Sequence, residues 1–166
     1  GKNTYHFYDN EIAYGNENEM RKENLNHIRS MLSEHGPLKG SYCVEYEGFK
    51  NIARFIRRGQ QRNKRHIVYI LFTIEDTCNG INGADERYEA LGMLEDSVRI
   101  SLRVGDVATR YSGSQIVAIL VDAKESDACM VAGRILGEFH SHTGMEHVRV
   151  EYDIQALEED EPEENH

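Results

Sequence analysis

The chain has 166 residues, of which 39% are apolar and 29% charged, and its formal net charge at pH 7 is −10. This length and composition are typical of one globular domain with short appendages. The negative charge argues against a general nucleic-acid-binding protein, because neutralising phosphates requires a basic surface. No apolar run approaches the roughly 18 residues of a membrane-spanning helix, so we expect no membrane insertion of this segment.

The charges are unevenly distributed along the chain. Acidic residues concentrate in 157–166, which we expect to be a disordered, solvated tail. Six basic residues cluster in the first half of the chain: Arg54, Arg57, Arg58, Arg62, Lys64 and Arg65. This basic cluster either attracts an anion or is the solvated end of a helix.

Cysteines and histidines are the residues that most often bind metal. The three cysteines are far apart and form no CxxC pair: Cys43, Cys78 and Cys129. That pattern is typical of reduced thiols in a cytoplasmic protein. His140, His142 and His147 form an HxH-x4-H pattern, but they lie in a polar, glycine-containing stretch with no cysteine partner. We therefore favour a loop with incidental histidines over a zinc site.

The N-terminal part predicts a connector helix. Leu25, Ile28 and Leu32 recur at helical spacing, which predicts a helix over 16–34 that Gly36-Pro37 ends. Such a helix either joins two copies of the chain or packs on its own domain, and the apolar stripe is too short to decide. A homodimer is therefore one expected assembly.

The rest of the chain alternates strands and helices. We predict helices over 45–58, 84–102 and 126–139, a basic link over 60–65, a loop over 77–83, and strands over 66–73, 106–111, 115–121 and 148–154. The turn Ser112-Gly113-Ser114 is typical of a hairpin. From residue 66 the order is βαββαβ, the α+β ferredoxin-like plan, which predicts an antiparallel sheet with helices on one face. We therefore expect an N-terminal segment over 1–36, a domain over 37–156 and the tail over 157–166.

Apolar residues at helical spacing predict the buried face of each helix. For the helix over 45–58 they are Phe49, Ile52, Ala53 and Ile56. For the helix over 84–102 they are Ala84, Tyr88, Leu91, Leu94, Val98 and Leu102. For the helix over 126–139 they are Ala128, Ala132, Ile135 and Phe139.

The segment 103–116 resembles the motif region of the GGDEF family of diguanylate cyclase-like domains. Arg103 and Asp106 match the family's RxxD, Arg110-Tyr111 precede the turn as in the family, and the turn itself is Ser112-Gly113-Ser114-Gln115-Ile116. Leu71 to Asp76 resembles the family's strand ending in DxD, and Phe49 matches a recurrent Phe. The resemblance covers roughly 38–155. It implies a bacterial, cytoplasmic signalling protein in which this chain works beside other domains.

The turn departs from the family pattern in a way that affects catalysis. In the family, the acidic residue of the turn and the Asp at the strand end hold two divalent cations that bind the GTP phosphates. Here Ser114 and Gln115 replace the turn's acids, Ser112 replaces its first glycine, and Thr73 replaces the strand-end Asp. Glu75, on the same strand face as Thr73, could hold one ion but not a two-metal site.

Other family positions differ too. The elements that read guanine would fall near Asn79–Asn82 and at Arg87-Tyr88, where the expected Asp is lost. The family's final helix with its phosphate-binding Lys cannot be found before the acidic tail. The resemblance therefore implies a degenerate, catalytically inactive member with no cofactor. Mg²⁺ would be needed only under the alternative of a divergent but active cyclase.

One ligand site of the family is retained in sequence. Active members carry an inhibitory product site on RxxD plus a later Arg, and Arg103, Asp106 and Arg134 occupy those positions. Guanidinium groups suit the forked recognition of guanine edges and phosphates. The resemblance thus implies a receptor for cyclic di-GMP, while the alternative is a structural cap or surface ion pair. A third alternative is a dimerisation module without a ligand.

Overall fold

The computed structural model describes residues 7–33, 40–75 and 83–158. The chain divides into two compact units, Gly1–Leu38 and Lys39–His166. The described residues of the first unit form the helix α1 (Phe7–Leu32), so the predicted start at residue 16 was wrong. The stripe of Leu25, Ile28 and Leu32 is solvent-exposed. Within the described ranges, no helix has both the length and the apolar character needed to span a bilayer.

The second unit is an α+β domain with one sheet. Its elements in chain order are β1 (Tyr42–Cys43), α2 (Tyr46–Asn63), β2 (Ile67–Ile74), α3 (Ala84–Ser101), β3 (Val107–Ser112), β4 (Gln115–Val121), α4 (Glu125–Ser141) and β5 (Val150–Ala156). The strand order is β1-β3-β4-β2-β5. Neighbours among β3, β4, β2 and β5 are antiparallel, which confirms the predicted ferredoxin-like plan. The short β1, parallel to β3, was not predicted.

Helices cover both faces of the sheet, and the side chains of β2 are buried on both of them. Alternate residues of β2 point to opposite faces. Val68, Ile70 and Phe72 belong to the main core with α3 and α4, as predicted for the βαββαβ part. Ile67 and Tyr69 face the other way, into a smaller cluster with Phe49 of α2. A strand that is buried on both faces is mostly apolar, as β2 is up to Phe72.

The predicted faces of the helices are mostly confirmed. All four predicted residues of α4 are buried: Ala128, Ala132, Ile135 and Phe139. In α3, Leu91, Leu94 and Val98 are buried, but Ala84 and Tyr88 are exposed, so the predicted stripe was wrong in the first turn. Ala90, which the predicted stripe omitted, is buried.

Helix α2 is longer than predicted. It continues through Asn63, so most of the predicted basic link belongs to the helix. It ends where Lys64 adopts the left-handed conformation with φ of 51°. The extra turn contains Gln60, which is buried and donates a side-chain hydrogen bond to the Leu157 carbonyl oxygen. A tertiary partner of this kind, which no local pattern announces, extends the helix.

We expect Phe72→Ala to lower the free energy of unfolding by about 3 to 5 kcal/mol, because Phe72 is completely buried in the central strand and its removal leaves a cavity. Urea unfolding measures the change. Ile100→Ala on the exposed side of α3 is the control, with an expected change within about 0.5 kcal/mol. Equal effects of the two substitutions would contradict the assignment of the core.

Candidate functional site

The β3–β4 hairpin brings the degenerate turn to the end of β2. Thr73 lies opposite Gln115 in the antiparallel register of β2 and β4. Gln115 Nε2 donates a hydrogen bond to Thr73 Oγ1 at 3.2 Å. The other end of the same amide, Oε1, accepts from Ser112 Oγ at 3.0 Å, and Ser112 Oγ accepts from the Ser114 N–H at 3.3 Å. A chain of neutral hydrogen bonds therefore links the turn to β2.

The side chains of Thr73 and Gln115 do not fit a site for two divalent cations. Hard cations such as Mg²⁺ are bound through anionic oxygens, whereas Thr73 and Gln115 offer a hydroxyl and an amide that already bond each other. In the part of the chain that the structure describes, no three His, Cys, Asp or Glu side chains lie close enough together to hold a metal ion. Asp76 and Asn79–Asn82 lie outside the described residues.

Glu75, the remaining candidate ligand, is engaged in an ion pair. Its Oε2 lies 3.3 Å from Arg149 Nε, and its backbone N–H donates to the Arg149 carbonyl oxygen at 2.9 Å. Arg149 also contacts Glu151 Oε1 at 2.7 Å. The pKa of Arg149 is raised, first by the hydrogen bond to Glu151 and then by the charge of Glu75. Glu75 would have to leave this cation before it could bind another.

The predicted guanine-reading position at Arg87-Tyr88 is part of a surface cluster. Tyr88 is 70% exposed, and the Arg110 guanidinium carbon lies 5.5 Å from the centre of its ring. Arg110 donates to both carboxylate oxygens of Glu95, at 2.8 and 3.3 Å. The hydrogen bond to Glu95 raises the pKa of Arg110. Arg110, which matches the family motif, is thus held by α3 and not by the turn.

Asp106 of the retained RxxD is buried and joins two backbone segments through hydrogen bonds. It is 3% exposed. Its Oδ2 accepts from the Arg103 N–H at 3.0 Å, and its Oδ1 accepts from the Val121 N–H at 3.2 Å. Arg103 Nη2 donates to the Val121 carbonyl oxygen at 2.8 Å. The Arg103–Asp106 segment therefore fastens the α3–β3 turn to the end of β4.

Arg134 lies across from this turn on α4. Its Nη2 donates to the carbonyl oxygen of Ser101, the last residue of α3, at 2.7 Å. Arg103, Asp106 and Arg134 line one cleft of about 270 Å³, together with Asp122 and Asp127. The structure thus brings the three predicted ligand residues to one place, although each of them also bonds the backbone.

A second and larger cleft was not predicted. It has a volume of about 740 Å³ and lies between the C-terminal half of α2 and the α3–β3 turn. Four arginines line it: Arg58, Arg62, Arg65 and Arg103. The basic cluster was visible in the sequence, but its approach to Arg103, some forty residues later, depends on the packing of α2 against the sheet.

The histidine pattern does not form one loop. His140 lies in the last turn of α4, and its Nε2 is 2.9 Å from the Val148 carbonyl oxygen. His142 follows the helix end, with Nε2 3.9 Å from Glu138 Oε1. The interpretation of 140–147 as a loop was therefore wrong for its first residues.

We expect Asp106→Ala to destabilise the domain by on the order of 3 kcal/mol, because two partly buried backbone N–H groups lose their buried acceptor. Urea unfolding measures this loss. Asp96→Ala, which removes only an exposed pair with Arg99, should cost less than about 1 kcal/mol. A similar small effect at Asp106 would show that its carboxylate is not a structural tie.

No protein-family model and no curated protein sequence matches the chain. Among solved structures, a DGC protein from Thermotoga maritima has a TM-score of 0.58 at 17% identity, over 75% of this chain and 88% of that one. The GGDEF domain of DgcB from Caulobacter crescentus, in complex with c-di-GMP, has a TM-score of 0.59 at 10% identity, over 76% and 81%.

A third similar structure is the diguanylate cyclase SiaD from Pseudomonas aeruginosa, solved in complex with its activator SiaC. Its TM-score is 0.60 at 14% identity, and the match covers 93% of this chain and 61% of that one. Identities this low establish a shared architecture and not a shared activity. The chain therefore has the fold of the GGDEF diguanylate cyclase domains, as its sequence resemblance predicted.

Proposed function

We propose that this chain is a catalytically inactive GGDEF-like domain that serves as a regulatory or interaction module of a bacterial, cytoplasmic signalling protein. The observation that best supports this proposal is the hydrogen bond from Gln115 Nε2 to Thr73 Oγ1. It joins the two positions at which the family resemblance expects anionic ligands. Because the side chains of Thr73 and Gln115 are neutral and bond each other, they do not need a cation.

The surroundings of this pair support the same proposal. The Ser112 hydroxyl oxygen accepts the Ser114 N–H within the turn, and Glu75 pairs with Arg149, which also pairs with Glu151. Phosphoryl chemistry on GTP needs positive charge to offset the developing negative charge, and in this fold class metal ions supply it. Without their carboxylate ligands the domain keeps its backbone and loses the means of turnover.

We expect no cyclic dinucleotide from GTP with either Mg²⁺ or Mn²⁺ above the level of a protein-free blank. Product formation by the unaltered chain that Glu75→Ala abolishes would overturn the proposal, because it would show a working metal site around Glu75.

A gain-of-site variant tests the physical reason. Thr73→Asp with Gln115→Glu should create Mn²⁺ binding that calorimetry detects, because two anionic ligands would then face each other across β2 and β4. The matched control, Thr73→Asn with Gln115 unchanged, has similar size without charge and should bind no Mn²⁺. Equal binding by the unaltered chain would contradict the assignment of a neutral turn.

A second proposal is that the domain binds cyclic di-GMP through Arg103, Asp106 and Arg134. The observation that favours it is the shared cleft of these three side chains. Each guanidinium has five N–H donors, so a single bond to a backbone carbonyl leaves donors for a phosphate or a guanine edge. The GGDEF domain of DgcB was solved with c-di-GMP, which is consistent with this choice of ligand. The alternative is a purely structural role.

Calorimetry with cyclic di-GMP decides between these roles. We expect binding that Arg134→Ala weakens by about tenfold or more, which corresponds to roughly 1.4 kcal/mol. Arg99→Ala is the control, since Arg99 lies on α3 and pairs with Asp96. Absence of heat at tens of micromolar protein would remove the receptor proposal and leave the inactive-domain proposal standing.

A further inference from the structure

The larger cleft, which we call the arginine cleft, concentrates positive charge at one end of the sheet. It is lined by Arg58 and Arg62 of α2, Arg65 after that helix, and Arg103 of the α3–β3 turn. Two acidic residues also line it, but both are engaged. Asp122 pairs with Arg65 at 3.0 Å, and the oxygens of Asp106 accept backbone N–H groups.

Arg58 and Arg62 are the unneutralised cations of the cleft. Among the residues that the structure describes, neither has an ion-pair or hydrogen-bond partner. They are four positions apart on α2, so they project from the same side of the helix and repel each other. A helix that places two such side chains over a concave, half-apolar surface is suited to an anionic occupant.

The described part of the chain ends in contact with this helix, at Leu157 and Glu158. Leu157 is fixed by two bonds: its N–H donates to the Ile67 carbonyl oxygen at 2.8 Å, and its own carbonyl oxygen accepts from Gln60. The next carbonyl oxygen, that of Glu158, accepts from Arg57 Nη1 at 2.8 Å. At residue 158 the backbone is therefore in contact with α2. The contact is made by Arg57, which immediately precedes Arg58 in the sequence.

We propose that the acidic segment 159–164 of the same chain occupies the arginine cleft. It contains five carboxylates and no basic residue: Glu159, Asp160, Glu161, Glu163 and Glu164. Its six residues span up to about 20 Å when extended, while the Cα atoms of Arg57 and Arg58 are about 3.8 Å apart. The segment is therefore long enough to pass from Glu158 around α2 to Arg58 and Arg62. Pro162 favours the extended backbone that such a path needs.

Occupation of the cleft would also affect ligand binding. Arg103 lines both the arginine cleft and the smaller cleft with Arg134. A carboxylate beside Arg103 would compete with the phosphates of a dinucleotide for the same guanidinium. This consequence rests on the second proposed function, whereas the docking of segment 159–164 does not.

The test uses the full chain and inorganic pyrophosphate as a probe of free guanidinium groups. In one variant the five acids of 159–164 are replaced by Gln or Asn. We expect calorimetry at low salt to show roughly fivefold tighter pyrophosphate binding for this variant, because a tethered segment competes at an effective concentration in the millimolar range. The difference should vanish at about 0.5 M salt, where such charges are screened.

The same five substitutions are also made in two variants that lack arginines, to separate a local contact from a general effect of net charge. In the double variant with Arg58→Gln and Arg62→Gln, neutralising the segment should change the pyrophosphate affinity by less than about 1.5-fold. The reason is that the effects of substituting residues in contact with each other are not additive. In the control Arg99→Gln the fivefold effect should remain. Equal effects in both backgrounds would overturn the proposal.

Amide chemical shifts give a second, independent measurement. Neutralising the segment should move the signals of Arg58, Arg62 and Gly105, which line the cleft, and leave those of Tyr88 and Glu95 on α3 unchanged. If the cleft signals do not move, the segment lies elsewhere. None of these readouts depends on cyclic di-GMP, so they are informative even if the receptor proposal fails.

Discussion

The pairing of β2 with β4 determines what happens at the hairpin turn. Antiparallel register places Thr73 directly opposite Gln115, where Cβ atoms are about 5 Å apart. Two carboxylates so placed would repel each other unless a cation bridged them. A hydroxyl and an amide attract each other instead, and here they form a hydrogen bond. One backbone arrangement can therefore support either a cation site or a closed polar pair, and only the side chains decide which.

The RxxD segment has a structural role that its hydrogen bonds define. The Asp106 carboxylate and the Arg103 backbone close the α3–β3 turn and join it to β4. The Arg103 side chain is nevertheless 61% exposed. Folding alone gives Asp106 a role, because a buried carboxylate that accepts two N–H groups is costly to replace. Its ligand chemistry must be judged on the exposed guanidinium and on its neighbour Arg134.

The sequence predicted the elements whose apolar pattern is strong and missed those that depend on distant partners. β4 begins and ends where predicted, and the buried face of α4 is correct, because both have a clear period. β1 has two residues and is defined by its bonds to β3, so no periodicity could reveal it. The Thr73–Gln115 bond and the approach of Arg103 to α2 both join segments forty or more residues apart. Those contacts required the register and packing of the whole sheet.

The two ends of the β3–β4 hairpin are far enough apart to differ in charge independently of each other. The turn lies at one end of β3 and the RxxD segment precedes the other, separated by a strand of six residues, or roughly 20 Å. Charge at one end is therefore screened from the other, since the distance exceeds a Debye length of about 10 Å. Substitution of the acids at the turn leaves the arginines of both clefts in place. A domain of this architecture can thus give up its cation ligands and still present a positively charged surface to an acidic segment or a phosphate.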